Sequence, residues 1–256
     1  MGTIISVVNQ KGGVGKTTTA INIASYLADK FNKKVLLVDL DPQGNATSGL
    51  GVNKSAIEKS ILSGLLNEES VDILRHTTNI KNLDIIPANS DLASAEINLT
   101  KIENRELRLR QLLSGVQQSY DFIIIDCPPS LGLLFVNALA ASRYMLIAVQ
   151  TEFYAMEGLG LLIGTIQKIQ QSLNPTLSIL GVLMTMYDSR TVLSSQVKAE
   201  IDKVFENLVF KTVIPRNVKL AEAPSHGLPI YKYDKWSKGA KAYKNVTKEV
   251  LSRVET

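Results

Sequence analysis

Lys11 and Lys16 bracket three glycines in the run Lys11-Gly12-Gly13-Val14-Gly15-Lys16-Thr17-Thr18, a composition suited to holding phosphate. Lacking Cβ atoms, Gly12, Gly13 and Gly15 allow positive φ, so the backbone through Val14 can aim successive N–H groups into one anion site. Lys16 then reaches the terminal phosphate oxygens of a nucleotide, and the Thr17 hydroxyl, with Thr18 next to it, can ligate Mg²⁺. The general pattern G-x-x-x-x-G-K-[ST] fails only at its first position, where Gln10 stands. Lys11 lies too far back to duplicate Lys16 on the same phosphate. A second lysine there suits a site completed by another subunit.

Two further segments carry carboxylates. Asp39-Leu40-Asp41-Pro42-Gln43-Gly44-Asn45 follows the apolar run Val35–Val38, and Asp126-Cys127-Pro128-Pro129-Ser130 follows Phe122–Ile125. Period-two spacing puts Asp39 and Asp41 on one side as strand gives way to loop. One of the pair can hold a metal-bound water and the other can orient an attacking water; a turn-capping role for either, or a purely supporting one for Asp39, stays open. Asp126, at a strand end, is placed to meet the water shell of Mg²⁺. Cys127 is read as a small buried residue with no catalytic role.

These groups need a scaffold that brings strand ends together. Thr3–Val8 reads as a β-branched strand and Lys16–Ala28 as a helix, so the glycine run lies between strand and helix, with the helix dipole behind it. Strand-like runs recur at 35–38, 83–86, 122–125, 144–149, 178–183 and 212–214. Helical patterns fall at about 55–66, 91–118, 132–142, 157–172, 191–206 and 238–254. Several runs are apolar throughout, as a sheet covered on both faces requires. The expected fold is α/β: one doubly wound, mostly parallel sheet with helices on both faces, spanning 1–256 as a single domain. Composition agrees, since 45% hydrophobic and 20% charged residues suffice for a full core. One cysteine excludes an internal disulfide and fits a reducing cytoplasm. His76 and His226 are too few and too far apart for a metal cluster.

Charge is uneven. Residues 190–256 hold 13 Lys/Arg against 7 Asp/Glu, whereas residues 1–189 hold 15 against 17. The basic excess points to a local polyanion surface. Lys232, Lys235, Lys238, Lys241, Lys244 and Lys248 crowd one segment, and on a helix Lys241, Lys244 and Lys248 share an arc of about 60°. Tyr243, Val246, Val250 and Val254 take the opposite side and should pack on the domain.

With these residues in view, the chain resembles the ParA family of partitioning ATPases, closest to the Soj type. The resemblance rests on Lys11–Thr18 (a deviant Walker A loop of the P-loop NTPases), 38–47, 126–130 and 214–227, and so runs through nearly the whole chain. It implies that ATP and Mg²⁺ drive a sandwich homodimer in which Lys11 crosses to the partner's phosphates and Gly12 must be small to permit that approach. It implies that Lys16 and Thr17 hold phosphate and metal, that Asp41 serves the hydrolytic water, and that Pro215 and Asn217 bound the adenine. It further implies non-specific binding of double-stranded DNA, with Arg190 and Arg216 at matching positions, and activation by a ParB-type centromere-binding protein. Such a switch would be cytoplasmic and nucleoid-associated, driving chromosome or plasmid partitioning.

Three rivals are weighed. A MinD-like ATPase cycling on membranes to position the division site would need a terminal amphipathic segment. Here the last apolar face is claimed by the core, and no apolar run approaches the ~18 residues of a membrane span, so no membrane partner is expected. An iron-protein electron carrier would need two cysteines per subunit. A metabolic ligase is disfavoured by Lys11 and by 215–227.

Overall fold

A computed structural model describes residues 2–66, 69–152 and 154–255. Among these residues seven strands form one sheet: β1 (Thr3–Val8), β2 (Val35–Asp39), β3 (His76–Thr77), β4 (Leu83–Ile86), β5 (Phe122–Asp126), β6 (Tyr144–Gln150) and β7 (Ser178–Thr185), in the order β3-β4-β2-β5-β1-β6-β7. All neighbours pair parallel except β3, a two-residue antiparallel edge on β4 that the sequence pattern does not reveal.

Alternate residues of each strand feed opposite cores. Ile4, Val8, Ile123, Ile125, Met145 and Ile147 pack with Phe135, Leu139, Leu162 and Ile166 of helices Leu133–Ala141 and Ala155–Ser172. Ile5, Val7, Ile124, Leu146 and Ala148 pack with Ile23 and Leu27 of helix Lys16–Asp29 and with Tyr243, Val246 and Val250 of helix Lys238–Glu255. Both faces of the sheet are dry, so both sets of side chains must be apolar. Full burial of each Leu, Ile or Val contributes about 1.5–3 kcal/mol.

Three expected elements differ. The single helix over 91–118 is broken into a 3₁₀ turn, Ala95–Leu99, another 3₁₀ turn and Arg108–Ser114, with Asn104 left-handed at φ 54°. Asn137 holds the break open: its Nδ2 donates to the Arg105 carbonyl at 2.8 Å, and its Oδ1 accepts from Leu109 N at 3.1 Å. A buried amide from another helix outweighs local propensity there. The expected strand at 212–214 makes only isolated bridges nearby, Val182 with Val209 and Tyr187 with Pro215. Glu249 of the last helix takes the Lys211 and Thr212 N–H groups at 2.8 and 3.0 Å, removing donors a ladder would need. The pattern at 55–66 contracts to helix Ile61–Leu65 after a 3₁₀ turn at Lys54–Ala56.

Register sets up the chemistry. β5 pairs with β1 (Val7 opposite Asp126) and with β2 (Asp39 opposite Asp126). The glycine run and the strand-end aspartates therefore leave adjacent carboxyl ends beside β1, where strand order reverses.

Candidate functional site

The glycine run is shaped before any ligand arrives. Gly13 and Gly15 lie at φ 77° and 87°, a region that costs other residues. Gly12, expected to share that geometry, keeps a backbone outside the positive-φ region, and a Cβ built on it would meet nothing within 4 Å. Nothing in this chain therefore demands a glycine at position 12. Three tethers fix the run: Asn9 Nδ2 donates to the Ala148 carbonyl at 2.6 Å, Asn9 Oδ1 accepts from Lys11 N at 2.9 Å, and Thr185 Oγ1 donates to the Val14 carbonyl at 2.7 Å. Gln10 has its own task, donating from Nε2 to the Gly158 carbonyl at 3.0 Å and tying the run to helix Ala155–Ser172.

Lys16 is buried, its Nζ donating to the Lys11 carbonyl at 2.8 Å. Burial lowers its pKa, while Asp126, Cys127 and Asp41 favour the charged form. Helix Lys16–Asp29 starts at Gly15 with no side-chain cap, leaving its first N–H groups and its dipole to an anion. Gly12, Gly13, Lys16, Thr17, Thr18 and Asp41 line one cavity of about 280 Å³. Gly15, Thr18 and Met186 also belong to a second cleft of about 320 Å³, more apolar, lined by Ile214, Pro215, Asn217, Leu220 and Tyr243. A phosphate-sized cradle thus opens into a base-sized slot. Met186, left-handed at φ 50°, stands at the junction, a strained position of the kind found at functional sites.

The three aspartates part company. Asp39, fully buried, accepts from Thr47 N and Thr47 Oγ1, both at 2.7 Å, and from Asp41 N at 3.3 Å. Thr47 in turn accepts from Ala88 N at 3.0 Å, so Asp39 braces the turn. Asp41 lines the cavity, its Oδ1 accepting from Gln43 N at 2.9 Å. Asp126 is fully buried, and both its oxygens lack a hydrogen-bond partner among the described residues. Burial first, then the charges of Asp39 and Asp41, push its pKa well above the carboxylate range; Thr17 and Lys16 pull the other way. Burial likewise raises Asp39 to about 6. A dry trio of carboxylates beside one ammonium lacks positive charge, and the orphaned Asp126 oxygens fit a divalent cation with its waters. Among the described residues no group of three or more His, Cys, Asp or Glu could enclose a metal by themselves, so Thr17, Asp41 and Asp126 would need a nucleotide's oxygens to complete a shell.

Lys11 stands apart from this cavity. Its ammonium pairs with Glu152, at the edge of a third cavity of about 410 Å³ that Gln10, Val14 and Leu161 also line. Glu152 escapes sequence reasoning because no local pattern links it to the glycine run. Asn217, read as a reader of the adenine edge, uses its Oδ1 to accept from Lys219 N at 2.8 Å and cap the next helix, leaving its amide nitrogen for a base. Tyr243 reaches further than a packing role, its hydroxyl 3.0 Å from Thr19 Oγ1 while its ring lines the slot.

The basic residues are partly gathered. The Tyr187–Pro215 bridge brings Arg190 and Arg216 into the field of Asp188, and Arg190 holds that carboxylate through Nε at 2.9 Å and Nη2 at 2.7 Å. These arginines, Arg190 above all, draw the Asp188 pKa far below its usual range. Lys238, Lys241, Lys244 and Lys248 are exposed on the last helix opposite its buried face. Lys232 instead donates to the Asn79 carbonyl at 2.8 Å, and Lys235 sits over the Trp236 ring at 5.1 Å.

The chain is similar to known proteins. A family model described as an AAA domain matches residues 2–179. The chain is 55% identical over 253 residues to the sporulation initiation inhibitor protein Soj of Bacillus subtilis, the match covering 98% of this chain and 99% of that one. It is 50% identical over 253 residues to the chromosome-partitioning ATPase Soj of Treponema pallidum, covering 99% and 98%. Among solved structures, a cobyrinic acid a,c-diamide synthase from Mycobacterium smegmatis with a bound ATP analog and magnesium is 36% identical. It superposes with a TM-score of 0.88 over 100% of this chain and 97% of that one.

Proposed function

Since the chain belongs to the Soj/ParA family of chromosome-partitioning ATPases, we propose that it is an ATP-timed switch that pairs on DNA and releases on hydrolysis. Identity of 55% and 50% to Soj proteins, against 36% to the synthase, supports the partitioning class. The observation that carries the reading is the division of labour between two lysines. Lys16 is buried in a finished cradle, whereas Lys11 leaves the same loop for the surface.

ATP lies with its phosphates over Gly13–Thr18 and its base in the slot bounded by Pro215 and Asn217. Thr17, Asp41 and Asp126 would hold Mg²⁺, which when bound would neutralise charge on the terminal phosphates. Asp41 orients a water against the γ-phosphorus and receives its proton as the bond to ADP breaks. Two chains meet face to face, Gly12 leaving room, and each Lys11 exchanges Glu152 for the partner's phosphates. Burying a cation beside developing phosphate charge, in a site closed to bulk solvent save the attacking water, raises the rate only when both chains are present.

Pairing unites the basic faces formed by Arg190, Arg216, Lys232, Lys235, Lys238, Lys241 and Lys244. Each phosphate contact contributes about −0.9 to the log–log salt slope on duplex DNA, so doubling them makes ATP-dependent binding steep in salt. Lys241→Ala with Lys244→Ala is expected to weaken duplex binding and flatten the slope by about 0.9 for each phosphate no longer neutralised, measured by titration at several salt concentrations. A ParB-type partner accelerates turnover, and the protein works in the cytoplasm on the nucleoid. No helix among the described residues is long and apolar enough to cross a membrane.

Sizing the chain with ATP, with ADP and without nucleotide tests the core of this reading. A doubling of mass with ATP alone is expected; one mass under all three conditions would leave only a nucleotide-binding protein.

A further inference from the structure

The turn before the C-terminal helix holds the chain's single tryptophan in water: Trp236 is 74% exposed. That turn is built, not loose. Trp236 N and Ser237 N donate to Asp234 Oδ1 at 3.0 and 3.1 Å, Ser237 Oγ donates to the Asp234 carbonyl at 2.9 Å, and Ala240 N donates to Ser237 Oγ at 3.1 Å. The backbone that carries this large apolar side chain is therefore held at the surface.

Beside it lies a cleft of about 360 Å³, floored by the buried Tyr26 and Tyr231 and the half-buried Phe31, with Lys30, Lys235 and Lys244 as its cations. Lys30 lies 4.9 Å from the centre of the Tyr231 ring, and Lys235 lies 5.1 Å from that of Trp236. Two acids are near, and both are committed: Asp29 pairs with Lys30 at 3.0 Å, and Asp234 forms the turn. Lys244 also belongs to the lysine row of the last helix, so cleft and row make one surface.

An exposed indole set among ammonium groups matches the two chemistries of a duplex, the sugars and base edges of a groove and the spaced phosphates beside it. A purely electrostatic surface would need no exposed indole. We propose that Trp236 and this cleft are a contact for duplex DNA, the indole lying against sugars and base edges in a groove while Lys235 and Lys244 meet flanking phosphates. The proposal rests on the DNA-binding reading above and adds to it a component insensitive to salt.

One titration separates the two, because Trp236 is the only tryptophan and reports its own surroundings. The full chain with ATP and Mg²⁺ is titrated with a short random-sequence duplex while indole emission and binding are followed. Quenching at saturation is expected. Trp236→Ala is expected to bind about tenfold more weakly with the same salt slope, and Trp236→Phe to recover most of the loss. Unchanged emission together with native affinity in Trp236→Ala overturns the proposal while leaving DNA binding itself intact. Failure of the native chain to bind duplex at all removes both. Blue-shifted emission with phosphatidylglycerol vesicles and none with duplex assigns the indole to a membrane surface instead, and also overturns it.

Discussion

Asp41→Ala is expected to split ATP about 10²–10⁴-fold more slowly than the native chain while still binding nucleotide, the loss typical of removing a positioned base. The substitution is tolerable to the fold: Asp41 Oδ1 accepts only from the N–H of Gln43, an exposed residue whose donor water can satisfy. Asp39→Ala is the instructive contrast, stranding the Thr47 N–H and hydroxyl in a dry interior and costing about 1–3 kcal/mol for each donor left unpaired. Slow turnover should also lock the paired state, so Asp41→Ala is expected to elute as a dimer with ATP long after the native chain has returned to monomer. Lys11→Ala should behave oppositely, binding ATP through the intact Lys16 cradle yet never pairing. Steady-state phosphate release beside size-exclusion chromatography distinguishes these variants. Native turnover in Asp41→Ala would remove Asp41 from the mechanism.

Without nucleotide, the chain should lose stability as pH rises from about 4 through 6 and beyond. The sign follows from the direction of the shifts. Asp39 titrates near 6 in the folded chain against 3.8 in the open one, so folding favours its protonated form. Its stabilising contribution is complete below the unfolded value and disappears as pH climbs past the folded one, about 3 kcal/mol in all. Asp126, raised in the same direction, extends the decline upward. Asp188 and Glu106, lowered by neighbouring arginines, contribute in the opposite sense at acid pH, so the comparison that isolates the buried trio is with and without Mg²⁺–ADP. Positive charge beside Asp126 should flatten the curve, and Asp126→Asn should stabilise the free chain at neutral pH while abolishing the gain from Mg²⁺. Urea unfolding across this range, read with and without ligand, checks both; a free chain equally stable at pH 5 and pH 7 contradicts the account.

Chemistry that is local was legible in the order of residues. Gly13 and Gly15 need positive φ, Lys16 and Thr17 follow them directly, and unbroken apolar runs such as 122–125 announce strands covered on both faces. The last helix was equally plain, because a 3.6-residue period separates Lys241 and Lys244 from Tyr243 and Val246 within a few turns. Where a tertiary partner outweighs propensity, the reading failed: Asn137 breaks the helix expected over 91–118, and Glu249 takes the donors of 211–212. Folding alone settled which aspartate braces and which faces the cavity, since that depends on the register placing Asp39 opposite Asp126 and on Thr47 lying beneath Asp39. The same holds for Glu152 beside Lys11, Thr185 beneath Val14, and Arg190 beside Arg216, pairs that no periodicity connects. Parallel strands require long crossovers, and a crossover carries no local signal of the neighbour that its far end will meet.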